Sequence, residues 1–318
     1  MEVVRSLEAW PAWAAGRATV ATVGNFDGVH RAHRQLLAAV RREAEQEGAL
    51  AAAVSFEPHP SRILQPAAAP PLITPGAERI RQLATTGIEA LLLLPFSREL
   101  SLWSAREFAE RVLVRGLRAR AVHEGENFRF GHRHLGTVAT LAELGREFGF
   151  AVRVQARVEA RGEVVSSSRI RELVAAGAVE RARALLGRAF AVRGPVAAGR
   201  GVGRQLTVPT LNLSPYQELL PAAGVYCTCL RLGGEWRAAL TNVGMRPTFG
   251  PGGPLTVETH VLHPPPAGLE AQPGDEMEIA FLRRWRAERR FEAPAALRAQ
   301  IERDLAFAER YFAKFGLR

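Results

Sequence analysis

From position 18 to about 158 the chain alternates short apolar runs with amphipathic stretches. The runs cover 18–23, 50–56, 88–95, 119–123 and 151–158, and the stretches between them, 34–47, 75–86, 105–116 and 138–149, carry apolar residues near helical spacing. Strand and helix in alternation predict an α/β fold, a doubly wound parallel sheet with ligands beyond the carboxyl ends of its strands. Two more helical stretches follow at 169–176 and 179–186, and then the texture changes. Short β-rich runs at 190–196, 224–232, 236–243, 255–262 and 276–282, separated by Gly and Pro, predict an antiparallel β-barrel. The tail at 295–315 sets Leu297, Ile301, Leu305, Ala308 and Phe312 at helical intervals, which predicts a C-terminal helix packed on that barrel. The boundary is expected at 185–188, giving domains 1–185 and 186–318.

Composition agrees with two full cores: 318 residues, 47% hydrophobic, exceed what one ordinary domain organises. The longest apolar run, 88–96, is of strand length, and Glu2, Arg5 and Glu8 precede any apolar block, so neither a membrane span nor a signal peptide is expected. The expectation is a cytoplasmic protein, monomeric or transiently oligomeric. Cys227 and Cys229, two apart in an alternating run, share one strand face and read as reduced residues. The formal charge of +10 is almost all arginine, Lys314 being the only lysine. Such a bias accords with genomic composition, with heat adaptation, or with polyanionic ligands. The arginines are scattered, which argues against nucleic acid as the partner.

The segment TVGNFDGVHRAHRQLL runs from a buried strand through a Gly-rich turn into a helix. Gly24 and Gly28 allow a tight turn and a close backbone approach, and a helix start offers free N–H groups to a phosphate. His30 and His33, three apart, project to one side of a first helical turn and can both donate to a polyphosphate. A zinc pair and two structural histidines are the alternatives, and no third ligand of suitable spacing stands nearby. Further on, VVSSSRIREL places three serines and two arginines at a loop-to-helix junction, to cap the helix or to grip phosphates through Ser167, Ser168, Arg169 and Arg171. FEPHP at 56–60 and GENFRFG at 125–131 end or follow predicted strands, where an open sheet puts its site.

The C-terminal half has its own constellation, GPVAAGRGVGRQLTVPTLNL. Gly199, Gly201 and Gly203 let backbone amides converge on phosphate oxygens, with Arg200 or Arg204 adding charge; a ligand-free glycine hairpin is the plainer reading. The loop lacks the Lys-Ser/Thr ending of a P-loop. Thr210 and Asn212 face the same way in a strand and can jointly hold a Mg²⁺ ion with its phosphates. Glu258 is the only carboxylate of VETHVLH, either an exposed strand residue or a base for an alcohol.

Together these strings resemble the bifunctional riboflavin kinase and FMN adenylyltransferase family, the bacterial FAD synthetases. GNFDGVHRAH is similar to the histidine signature of Rossmann-like nucleotidyltransferases, and FEPHP, GENFRFG and SSSRIR follow in the flavin branch's order. PTLN resembles the kinase's Pro-Thr-Ala-Asn motif, and LPAAGVYCTCL, TNVGMRPTFG and VETHVL follow in order. The resemblance implies that His30 and His33 stabilise ATP phosphates, with Gly24, Phe26, Asp27, Gly28, Asn127, Ser167, Ser168 and Arg171 completing that nucleotide site. It implies flavin near Phe56, Pro58 and Phe128. It implies that Gly199, Gly201, Gly203 and Arg204 cover a second ATP, that Thr210 and Asn212 bind Mg²⁺, and that Glu258 is the base for the riboflavin 5′-hydroxyl. Riboflavin, FMN, FAD and ATP are then substrates or products, with no nucleic acid and no membrane as partner. Departures stand at Ala32, Thr207, Val208 and Leu211, and Ala32 raises the alternative of a chain that keeps only the kinase. A nucleic-acid binder related to the aminoacyl-tRNA synthetases is a further alternative, but no lysine-bearing second signature accompanies HRAH.

Overall fold

In a computed structural model of the chain, residues 1–197, 210–214, 216, 218–245, 255–264, 271–289 and 291–316 are described. The chain divides into two compact units, Met1–Ser167 and Ser168–Arg318.

The first unit contains β1 (Glu2–Val4), α1 (Trp10–Ala14), β2 (Thr19–Val23), α2 (Arg31–Glu47), β3 (Leu50–Glu57), α3 (Pro60–Leu64), α4 (Gly76–Ala84), β4 (Ala90–Pro95), α5 (Arg98–Ser101) and α6 (Ala105–Phe108). It continues through β5 (Ala119–Gly125), β6 (Arg129–Phe130), β7 (Gly136–Thr137), α7 (Val138–Phe148), β8 (Ala151–Gln155), β9 (Glu159–Ala160) and β10 (Glu163–Val164). Six strands make one parallel sheet in the order β1-β4-β3-β2-β5-β8. Its central strands read as unbroken apolar runs because helices cover both faces: every residue of β2 is buried, as are Leu50 to Val54 and Ala90 to Leu94. Trp10, Phe108, Val112 and Leu141 fill one face, and Phe26, Leu37 and Leu83 fill part of the other. A fully buried leucine such as Leu37 contributes about 2 kcal/mol by transfer from water.

Several features depart from the sequence pattern, among them three that shape the sheet and its surroundings. β1 is a three-residue strand added at the sheet edge beside β4, too short to show a period. The stretch 105–116 splits into α6 and a π-helical segment, Ala109–Gly116. There Gly116 makes room for Leu7, whose Cδ1 would lie 2.5 Å from an added Cβ. The strands β6 and β7 form a small hairpin within the loops that follow β5.

The second unit takes up α8 (Ser167–Ala175) and contains α9 (Val179–Leu186), β11 (Phe190–Ala197), β12 (Leu211–Leu213), β13 (Gly224–Leu232), β14 (Glu235–Met245), β15 (Leu255–Val261), β16 (Glu276–Ala287) and α10 (Pro294–Ala313). The six strands close into an antiparallel barrel in the order β11-β12-β15-β14-β13-β16. Closure removes sheet edges and buries a ladder of hydroxyls, Thr228, Thr241 and Thr259, joined at 2.7 and 2.9 Å. α10 lays Ala308 and Phe312 on Val225, Cys227, Ala238 and Leu240, as its period predicts. Asp304 of α10 is buried and accepts hydrogen bonds from Trp285, Arg286 and Gln300, which fastens the helix to β16. Both cysteines are free thiols; burial pushes Cys227 up to about 12 and raises Cys229. α8 and α9 belong to this second unit, and Arg284 of β16 donates to the Ala176 carbonyl at 3.3 Å.

Candidate functional site

The order of the parallel sheet reverses between β2 and β5: from β2 the neighbours run to β3, β4 and β1, and from β5 to β8. At the carboxyl ends of these two strands lies a cavity of about 380 Å³. This is the switch point where open α/β sheets take their ligands. Gly24, His30, His33, Glu124, Asn127 and Ser167 are in its lining.

The turn from β2 into α2 is built for close approach. Phe26, Gly28 and Val29 all have positive φ, at 49°, 89° and 38°, so the chain stores backbone strain there. Asp27 holds the turn in place: its carboxylate, 2% exposed, accepts the N–H groups of Ile73 and Thr74 at 3.1 and 2.9 Å. Gly28 N–H in turn donates to Thr74 Oγ1 at 2.8 Å. Arg79 donates to the Asn25 and Phe56 carbonyls, both at 2.9 Å, and ties this turn to the end of β3. Asp27 and Gly28 therefore shape the site without lining the cavity.

His30 is the N-cap of α2; its Nδ1 accepts the His33 N–H at 3.4 Å. An accepting nitrogen bears no proton in a neutral imidazole, so in that form the ring's proton is on Nε2. The rings of His30 and His33 stack with centroids 3.6 Å apart, and Phe26 meets His33 edge-on at 5.3 Å. Burial, and secondarily the neighbouring His30, hold the His33 imidazole well below its ordinary titration range, so it is neutral at pH 7. Its Nδ1 is buried without a hydrogen-bond partner. A bound polyanion would favour the charged form and reverse that shift.

Of the other expected residues, Phe26 and Phe128 line the cavity, as does the departure Ala32. Phe128 stacks on Phe130 at 5.3 Å, and Asn127 accepts from Arg157 at 3.2 Å. Ser167, the last residue of the first unit, donates to the Asp27 carbonyl at 2.8 Å. Ser168 and Arg171 stand on α8 past the end of the first unit. Phe56 packs against Phe96 and Phe108 and, with Pro58, does not line the cavity. Glu124 belongs to none of the motifs above; its one sequence signal is a charged residue at the end of the apolar run of β5.

On the barrel, register brings together what the chain separates. Asn212 of β12 pairs across the ladder with Glu258 of β15, and Glu258 pairs on its other side with Asn242 of β14. Directly opposed residues share a face, so these three side chains form one polar row. Val257, Thr259 and Val261 point the other way, into the barrel, while Glu258 is half-buried. Next to Asn242 on that face is Gly244, where an added Cβ would run into Glu288 Oε1 and lie 3.1 Å from Asn242 Nδ2. Asn242 and Glu288 thus join the row, and cross-strand register, invisible in sequence, is what finds them. Thr210 immediately precedes β12, with Leu211 as its first residue. Gly199, Gly201, Gly203, Arg204, Thr207 and Val208 lie outside the described residues.

A ligand cavity at a parallel-sheet switch point, followed by a closed barrel with its own polar row, defines a two-domain nucleotide-handling enzyme. The FAD synthetase family profile matches residues 14–169, and the riboflavin kinase profile matches 186–312. The chain is 35% identical over 299 residues to a bifunctional riboflavin kinase/FMN adenylyltransferase of Pseudomonas fluorescens and 32% identical over 294 residues to one of Escherichia coli strain K12, each alignment spanning 92% of both chains. A solved structure described as a macrolide-efflux protein from Streptococcus pneumoniae is similar over 96% of this chain and 98% of its own, with a TM-score of 0.84 and 26% identity. Among the described residues no helix is long and apolar enough to cross a membrane. The chain belongs to the bifunctional riboflavin kinase/FMN adenylyltransferase family. Matches in both halves favour two activities over the kinase alone.

Proposed function

We propose that the barrel phosphorylates riboflavin with ATP to give FMN and ADP, and that the parallel-sheet domain transfers AMP from a second ATP to FMN, giving FAD and pyrophosphate. The observation that carries the reading is the pairing of two phosphate-directed constellations, His30 with His33 at the sheet's switch point and Asn212 with Glu258 across one barrel ladder.

In the adenylyl transfer, an FMN phosphate oxygen attacks the α-phosphorus of ATP and pyrophosphate leaves, with no covalent enzyme intermediate. His30 donates through Nε2 to the departing phosphates, and His33 gains its proton as that negative charge arrives. Gly24, Phe26, Asn127, Ser167, Ser168 and Arg171 complete the nucleotide site, Asp27 and Gly28 hold its turn, and Phe128, with Phe56 and Pro58 near the end of β3, serves the flavin.

In the kinase, Glu258 accepts the proton of the riboflavin 5′-hydroxyl as that oxygen attacks the γ-phosphorus and ADP departs. Asn212 offers an amide oxygen beside that carboxylate and Thr210, just before β12, a hydroxyl, hard donors that fit Mg²⁺, which when bound would neutralise phosphate charge. Gly199, Gly201, Gly203 and Arg204 are assigned to the covering loop. The functional boundary is placed at 185, so that α8 and its serines serve the first activity. The same reading takes the protein as cytoplasmic, monomeric or transiently oligomeric, and without nucleic acid or membrane partners.

The test is product analysis: purified protein with riboflavin, ATP and Mg²⁺ is expected to yield FMN and then FAD, and with FMN and ATP to yield FAD directly. Absence of FAD in the second mixture would remove the first activity, and absence of FMN in the first would remove the second.

A further inference from the structure

Glu124 poses a problem for a site that receives polyphosphate. It stands near the end of β5 in the cavity lining, 2% exposed, with Oε1 accepting the Val23 N–H of β2 at 2.7 Å. Among the described residues it makes no ion pair. The charges around it are committed elsewhere or are neutral. From α2 come His30 and the neutral, buried His33. From the loop after β5 comes Glu126, paired with Arg157 from the segment after β8. From the turn after β2 comes Asp27, bound to Ile73 and Thr74. An ionised carboxylate in such a place would repel phosphate oxygens and lack a counter-charge.

We propose that Glu124 is a substrate-binding residue of this cavity, a carboxylic acid whose hydroxyl donates a hydrogen bond to a phosphate oxygen of the bound nucleotide while its other oxygen keeps the Val23 N–H. The inference rests on reading the cavity as the adenylyl-transfer site. Burial raises the Glu124 carboxyl well above the ordinary carboxylate range, outweighing the opposing pull of the Val23 N–H and the Thr22 hydroxyl, and so favours the acid form. An acid O–H to an anionic oxygen is a charge-assisted hydrogen bond, among the short and strong ones. One group thus becomes a donor when protonated and a repulsive charge when ionised, and ATP affinity at this site acquires a dependence on alkaline pH.

The experiment compares the full-length chain with Glu124→Gln and Glu124→Leu between about pH 6.5 and about pH 9, following FAD formation from FMN and reading ATP binding at this site both from its KM for ATP and from calorimetry fitted to two ATP sites. Gln presents an N–H donor and a carbonyl acceptor in the same shape, so Glu124→Gln is expected to bind ATP like the parent at neutral pH and to show a flatter alkaline limb. Glu124→Leu, without a donor, is expected to bind ATP about tenfold more weakly at neutral pH. The inference is overturned if the parent and Glu124→Gln share the same alkaline decline. It is also overturned if a folded Glu124→Leu, checked by thermal unfolding, binds ATP as the parent does. A parent protein that binds ATP but forms no FAD would sink the adenylyl-transfer reading instead, and the binding profiles would still judge Glu124.

Discussion

His30 does two things with one ring: Nδ1 closes the first turn of α2, and the ring lines the ligand cavity. His30→Ala removes both, and is expected to lower FAD formation by about 3 kcal/mol of transition-state stabilisation, roughly a hundredfold. His30→Asn separates the roles, because asparagine caps a helix as well as any residue but has no imidazole. It should keep the parent's melting temperature and still lose FAD formation; full activity in His30→Asn would leave only the cap. Glu124 makes a second residue-scale claim, about stability. Its folded pKa is raised, so the folded chain holds a proton that the unfolded chain releases above about pH 4.5. Stability therefore falls as pH rises from there, until the folded carboxyl ionises too. Glu124→Gln removes this dependence and should raise the melting temperature more at about pH 8 than at about pH 5. An equal effect at both would mean that Glu124 is ionised in the fold.

At the scale of elements, strands buried on both sides and helices with an apolar stripe declare themselves by period, and β2, β3, β4, α2, α7 and α10 stand where the pattern puts them. Short pieces do not. β1, β12 and the hairpin β6–β7 have two or three residues each, and pairing, not pattern, makes them strands. The same limit applies to the site. His30 and His33 are neighbours in sequence and were legible, whereas Asn242 and Glu124 enter through a barrel register and a sheet crossing. Asp304 shows what an element's attachment depends on. Its carboxylate is 3% exposed and pairs with Arg286, 14% exposed, while also taking the Trp285 N–H at 3.0 Å. Asp304→Ala leaves the Arg286 charge buried without its partner, which costs about 3 kcal/mol. Scanning calorimetry should show the barrel's transition lowered by roughly 10 °C. An unchanged transition would mean that the apolar contacts of Ala308 and Phe312 suffice.

At the scale of the whole molecule, the two activities form a sequence in which the barrel's product is the other domain's substrate, and this orders the effects of mutation. Glu258→Gln takes away the carboxylate proposed as the kinase base but keeps a polar side chain of the same length opposite Asn212 and Asn242, so the ladder has no reason to rearrange. Loss of the base should lower FMN formation at least a hundredfold, within the usual range for general-base catalysis. From riboflavin, this variant should therefore make neither FMN nor FAD; from supplied FMN, it should make FAD at the parent's rate, because the histidine pair belongs to the other compact unit. His30→Ala should give the mirror image, with FMN accumulating from riboflavin and little FAD from either start. Chromatography of flavins after each incubation reads all four outcomes. If Glu258→Gln loses FAD formation even from supplied FMN, the sites are coupled beyond the passing of a product. If it still makes FMN at the parent's rate, Glu258 is not the base, and the polar row on the barrel only binds.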